Sequence, residues 1–145
     1  MQEVSFDETF ESIRAKDPRY PREAYQFVRD ALDYTQHQQA IRRENRGRIR
    51  HVTGQELLGG IREFALSQFG PMTLTLFEEW GVHQCEDFGE IVFNMVDSGL
   101  LAKTEQDTRA AFQKGYDFYD AFRRPFLPPS KQAAPARAPA PSAGQ

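Results

Sequence analysis

The sequence predicts a mainly α-helical domain. Three observations carry this expectation. Apolar residues recur three and four apart in several stretches. Ser/Thr-x-x-Glu capping boxes precede two of those stretches. Gly or Pro closes most of the others.

Ser5 and Glu8 form the first capping box, and Phe6, Phe10 and Ile13 follow at helical spacing. This helix ends before Asp17-Pro18, since a proline pushes the residue ahead of it toward extended backbone. Arg19-Tyr20-Pro21 is a turn, and Pro21 suits the first position of a second helix. That helix runs to about Gln39 with Ala24, Val28, Ala31, Leu32 and Thr35 on one face, flanked by Tyr25 and Phe27. Residues 36–51 are polar around Gly47, which predicts a fraying helix end and then a basic loop.

Thr53 and Glu56 form the second capping box. Leu57, Leu58, Ile61, Phe64, Ala65 and Gln68 then lie on one stripe. Gly59-Gly60 weakens this helix by about 1 kcal/mol per glycine relative to alanine, so the pair predicts another element packed very close. Gly70-Pro71 ends it and starts a short fourth helix with Met72, Leu76, Phe77 and Trp80, stopped by Gly81. His83 to Asp87 turns into a fifth helix whose buried face is Phe88, Ile91, Val92, Met95 and Val96, and Gly99 ends it. Residues 100–112 read as a short β-hairpin, weakened in its second strand by alanines. Tyr116, Phe118, Tyr119 and Phe122 form a last aromatic cluster.

Helix, Gly-Pro, short helix, turn, amphipathic helix and hairpin, over about 53–113, resemble a winged helix-turn-helix. A plain helical bundle fits the same pattern. Residues 1–124 are expected to form the one domain, with twelve Phe, five Tyr and one Trp to fill its core. From Pro125 to Gln145 the chain is rich in Pro and Ala, buries too little apolar surface to fold and reads as a disordered tail.

The net charge of −3 averages two unlike segments. Residues 42–51 hold five Arg and one Glu, while residues 63–102 hold seven carboxylates and no Lys or Arg. Arg42, Arg43, Arg46, Arg48 and Arg50 suit phosphate or carboxylate partners. The helix in the recognition position carries Glu86, Asp87, Glu90 and Asp97, which phosphates would repel. Duplex DNA is therefore not the expected partner of that helix, even on a winged-helix scaffold.

Chemistry-bearing motifs are sparse. His83-x-Cys85-Glu86 lacks the paired spacing of a zinc site, so no metal is expected. Asp87 and Glu90 lie three apart on one helix face, which is also what a solvated face looks like. No nucleophile–base pair, P-loop or dinucleotide fingerprint occurs, so no cofactor and no enzymatic activity are expected. Asp17-Pro18-Arg19-Tyr20 and Tyr116-Asp117-Phe118 are turns that pack an aromatic or anchors for a partner. No apolar run approaches a membrane span, the opening residues are acidic, and one Cys leaves no internal disulfide, so the expected compartment is the cytoplasm.

Read in order, Asp17-Pro18-Arg19-Tyr20, Gly54-Gln55-Glu56-Leu57-Leu58, Gly60-Ile61-Arg62, Phe69-Gly70-Pro71-Met72, Trp80-Gly81-Val82, Asp87-Phe88-Gly89-Glu90-Ile91-Val92-Phe93-Asn94, Lys103-Thr104-Glu105 and Tyr116-Asp117-Phe118 form a pattern. It resembles an uncharacterised bacterial conserved-hypothetical family best known from planctomycete and verrucomicrobial genomes. The resemblance covers nearly all of residues 5–122. It implies one compact cytoplasmic domain and carries no activity, substrate or catalytic residue. Asp87-Phe88-Gly89 is not the kinase motif, because no Gly-rich loop, strand lysine or catalytic loop accompanies it.

The expected function is a small protein-interaction module with separate basic and acidic surfaces, which would also allow head-to-tail pairing of copies. Nucleic-acid binding through the basic loop 42–51 is the alternative.

Overall fold

The computed structural model describes residues 4–42, 52–101, 109–113 and 115–128. It is mainly helical: α1 Val4–Lys16, α2 Arg22–Arg42, α3 Gly54–Phe69, α4 Thr73–Glu79, α5 Cys85–Asp97 and α6 Phe118–Phe122. Three 3-10 turns, Gly70–Met72, Arg109–Phe112 and Arg124–Phe126, join or follow them. Among the described residues there is no strand.

The start of α3 follows its sequence signal closely. Thr53 Oγ1 accepts from the Glu56 amide (3.1 Å), and Glu56 Oε1 accepts from the Thr53 amide (3.0 Å). Elsewhere the boundaries shift. Helix α1 begins at Val4, ahead of the expected Ser5 cap, and α2 continues to Arg42. The α5 cap is made by Gln84 with Asp87 three residues on. The turn at Arg124–Phe126 carries regular structure past the expected start of the tail at Pro125, and residues 129–145 lie outside the described residues.

Helix α2 lies along α3, and Gly60 permits that approach. A Cβ at Gly60 would sit 1.7 Å from Thr35 Oγ1, whereas a Cβ at Gly59 meets nothing within 4 Å. The expected close packing therefore rests on Gly60 alone. On α2, Tyr25 and Phe27 are core residues as fully as the stripe they were expected to flank. On α3, Gln68 is exposed, because the buried face is set by Leu57, Leu58, Ile61 and Ala65. Met72 is also exposed, and the buried residue at the start of α4 is Thr73, whose hydroxyl meets the Gly70 carbonyl at 2.7 Å.

The core centres on Phe77 of α4, which is fully buried. Its ring lies 5.6 Å from Phe27, 5.3 Å from Phe88, 5.7 Å from Phe118 and 5.1 Å from Phe122. Several of these pairs are edge-to-face, the arrangement that aromatic quadrupoles favour. Helix α6 thus closes the core.

The expected hairpin at 100–112 is corrected where it can be seen. Residues 102–108 lie outside the described residues, but Arg109–Phe112 is a 3-10 turn instead of a second strand. Its physical reason is Phe112, buried against α5 where Gly89 leaves room: a Cβ there would come within 2.9 Å of the Phe112 ring. Gln55 Nε2 ties the same turn to α3 by donating to the Ala111 carbonyl (2.7 Å).

Candidate functional site

The turn between α1 and α2 meets α5 through a polar network. Asp17 accepts twice from the Arg19 side chain, Oδ1 from Nε at 2.8 Å and Oδ2 from Nη2 at 2.6 Å, and once from its backbone amide (3.2 Å). Asn94 Nδ2 donates to Asp17 Oδ2 (2.9 Å) and to the Tyr25 hydroxyl (3.0 Å). Tyr20 donates its hydroxyl to Asp87 Oδ1 (2.6 Å), and Arg19 Nη2 reaches Glu90 Oε1 (3.3 Å). The Arg19 guanidinium also stands over the Tyr20 ring, 5.1 Å from its centroid.

Sequence reasoning named Asp87 and Glu90 as contact candidates and Asp17-Pro18-Arg19-Tyr20 as a separate turn, and the fold brings them together. Asp87 also caps α5, its Oδ2 accepting from the His83 amide (2.8 Å) and the Gln84 amide (3.3 Å). Glu86 stands half-buried in the first turn of α5, where a negative charge favours the helix dipole. Arg42 closes α2, but its side chain is outside the described set, as are Arg43, Arg46, Arg48 and Arg50. Asn94 and Tyr25 were missed as network members; the Asn94 motif was visible, but nothing in the sequence paired it with a turn so far away.

The chemistry of this network is that of a tether. The hydrogen bonds from the Arg19 guanidinium hold the Asp17 carboxyl well below the usual carboxylate range, against the opposing effect of burial. Burial, and then the hydrogen bond to Asp87, raise the Tyr20 hydroxyl well above an ordinary tyrosine. An ionised Asp17 and a neutral Tyr20 are thus both held through the neutral range. Nearby, burial pushes the Cys85 thiol up to about 11, so it is a weak nucleophile at neutral pH. Among the described residues, no three His, Cys, Asp or Glu side chains gather as a metal site needs.

The sign of the Asp17 shift gives a pH expectation. A depressed carboxyl adds stability above its unfolded value, near 3.9, and that stability is lost as pH falls toward the folded value. Asp17→Asn should therefore be less stable than the parent at pH 6, with the gap narrowing below about pH 4. Unfolding curves across this range check it, and a gap independent of pH would remove Asp17 as the cause.

Beside the tether lies a groove of about 940 Å³ between α1, the α1–α2 turn and the end of α4. Phe10, Tyr20 and Trp80 contribute aromatic surface to it. Glu8, Glu11, Glu23, Glu78 and Glu79 line it against Arg14, Arg19 and Arg22. These five glutamates are exposed, and Trp80 is half-buried with its ring 5.8 Å from Phe77. Sequence reasoning had assigned Glu78 and Glu79 only to a broad acidic stretch.

Among the described residues, no helix is long and apolar enough to cross a membrane. Comparison with family models, curated proteins and solved structures finds no match.

Proposed function

We propose that the chain is a small, cytoplasmic, non-enzymatic interaction module that binds a basic segment of a partner protein in the groove beside Trp80. The observation that carries this reading is the groove itself, in which five exposed carboxylates outnumber three arginines around aromatic surface. Cationic side chains gain there from the excess of carboxylates, and their apolar stems from the aromatic surface beside it. The tether supports the reading, because it fixes the α1–α2 turn that forms one wall. Helix α5 carries Glu86, Asp87, Glu90 and Asp97 and no Lys or Arg, which favours protein over duplex as the partner.

Trp80 is the chain's one tryptophan, so its fluorescence reports directly on the groove. A Lys/Arg-rich peptide bearing an aromatic residue should shift that emission, and an acidic peptide should not. Reversing Glu78 and Glu79 to Lys should weaken binding several-fold and flatten its dependence on salt. Equal binding by the reversed variant ends this reading. Tighter binding of duplex DNA or RNA than of the peptide transfers it to the basic segment 42–51. Sizing at low and high salt measures whether copies of the chain are partners for one another.

A further inference from the structure

A polar cleft of about 440 Å³ opens between α1 and the end of α5. Small-molecule sites commonly measure about 300–1,000 Å³. Glu8, Ser12 and Lys16 line the cleft from α1, four residues apart and so in one row. Asn94, Asp97 and Ser98 line it from the other side.

The tether gives the relative direction of the two walls. Tyr20 meets Asp87, Arg19 meets Glu90, and Asp17 meets Asn94. Residue numbers fall on one side as they rise on the other. Going back along α1 from Asp17 is therefore going forward along α5 from Asn94. Lys16 stands at the Asn94 end of the cleft. Asp97 stands a turn further on, toward Glu8, which lies about 12 Å from Lys16 along α1 at 1.5 Å per residue. The cleft is positive at one end and negative at the other.

These charges are open to a ligand. Glu8, Lys16 and Asp97 are exposed, and among the described residues none of the three makes an ion pair. Asp17, next to Lys16 in the chain, is already held by Arg19 and Asn94. A polyol would meet the serine hydroxyls and leave all three charges bare. A simple cation would gain from Glu8 and Asp97 but lose to Lys16.

We infer that the α1–α5 cleft binds an elongated zwitterion, a carboxylate and an ammonium separated by several carbons. The carboxylate lies against Lys16, and the ammonium lies between Glu8 and Asp97. The tether joins the two walls beside the Lys16 end, so the helices that carry these charges are held in place before the ligand arrives.

Calorimetric titration of the full chain with 6-aminohexanoate tests the inference, with hexylamine, hexanoate and glycine as controls. Hexylamine and hexanoate each lack one charge, and glycine lacks the length. The long zwitterion should bind several-fold more tightly than any control, by an amount that falls as salt rises. Lys16→Gln should bring its affinity down to that of hexylamine, and Asp97→Asn should weaken it without changing that of hexanoate. Both residues are exposed, so both variants should melt with the parent. Absence of binding at about 10 mM 6-aminohexanoate overturns the inference. So does equal binding of hexylamine or of glycine, or full affinity in the Lys16→Gln variant. Glu8 also borders the peptide groove, but Lys16 and Asp97 do not, so their variants should bind the basic peptide as the parent does.

Discussion

Phe77→Ala is expected to lower the unfolding free energy by about 3–5 kcal/mol, the range for emptying a fully enclosed aromatic site. The loss has two parts. Burial of the ring is forfeited, and a cavity remains because the surroundings cannot collapse into it. Phe27, Phe88, Phe118 and Phe122 come from α2, α5 and α6, so no single movement brings all four inward. Domains of this size are commonly stable by only 5–15 kcal/mol, so the variant should melt far below the parent or fail to fold at 37 °C. Urea unfolding measures the change. Phe77→Leu keeps most of the volume and should lose distinctly less. Equal losses in the two variants would mean that the aromatic contacts, more than the filled volume, hold this centre together.

Gly60→Ala and Gly59→Ala should move stability in opposite directions, although the residues are neighbours on one helix. A methyl at Gly60 would meet Thr35 Oγ1 at 1.7 Å and Thr35 Cβ at 2.8 Å. Thr35 is 4% exposed, is stiff at χ1, and its hydroxyl is held by the Ala31 carbonyl. The helices must part, which costs about 1–3 kcal/mol or more and outweighs the gain of about 1 kcal/mol from alanine's helix preference. At Gly59 nothing lies within 4 Å, so only the helix preference remains and stability should rise by about 0.5–1 kcal/mol. Thr35→Ala should soften the Gly60→Ala penalty by removing the nearest clashing atom, a coupling that a double-mutant cycle reads directly. Two gains, or two losses, would show that α2 does not sit where Thr35 places it.

The glycine pair shows what sequence reasoning reaches and where it stops. The pair signalled a close approach, but only the fold distinguishes the glycine that faces α2 from the one that faces outward. Local signals did well wherever the physics was local: Thr53 and Glu56 make the cap their spacing implied. The α5 cap was harder to see because Gln84 is a poor capping residue, and Asp87 provides most of the hydrogen bonding. The hairpin reading failed at Arg109–Phe112 because the fate of Phe112 is decided by Gly89, a residue with no side chain to announce a partner. The tether was least legible. Asp17 and Asn94 are 77 residues apart, and Tyr20 and Asp87 are 67 apart. Each motif stood out alone, yet no periodicity relates a turn to a helix at that distance.

The placement of α6 at the heart of the core has a consequence for the newborn chain. Phe118 and Phe122 are made after every other element that touches Phe77. While synthesis is still short of them, Phe77, Phe88 and Phe27 must wait with greasy faces uncovered. Translation at about 5–20 residues per second makes that interval a matter of seconds, ample time for a holding chaperone to engage. Helix α6 is therefore the element whose emergence covers those faces.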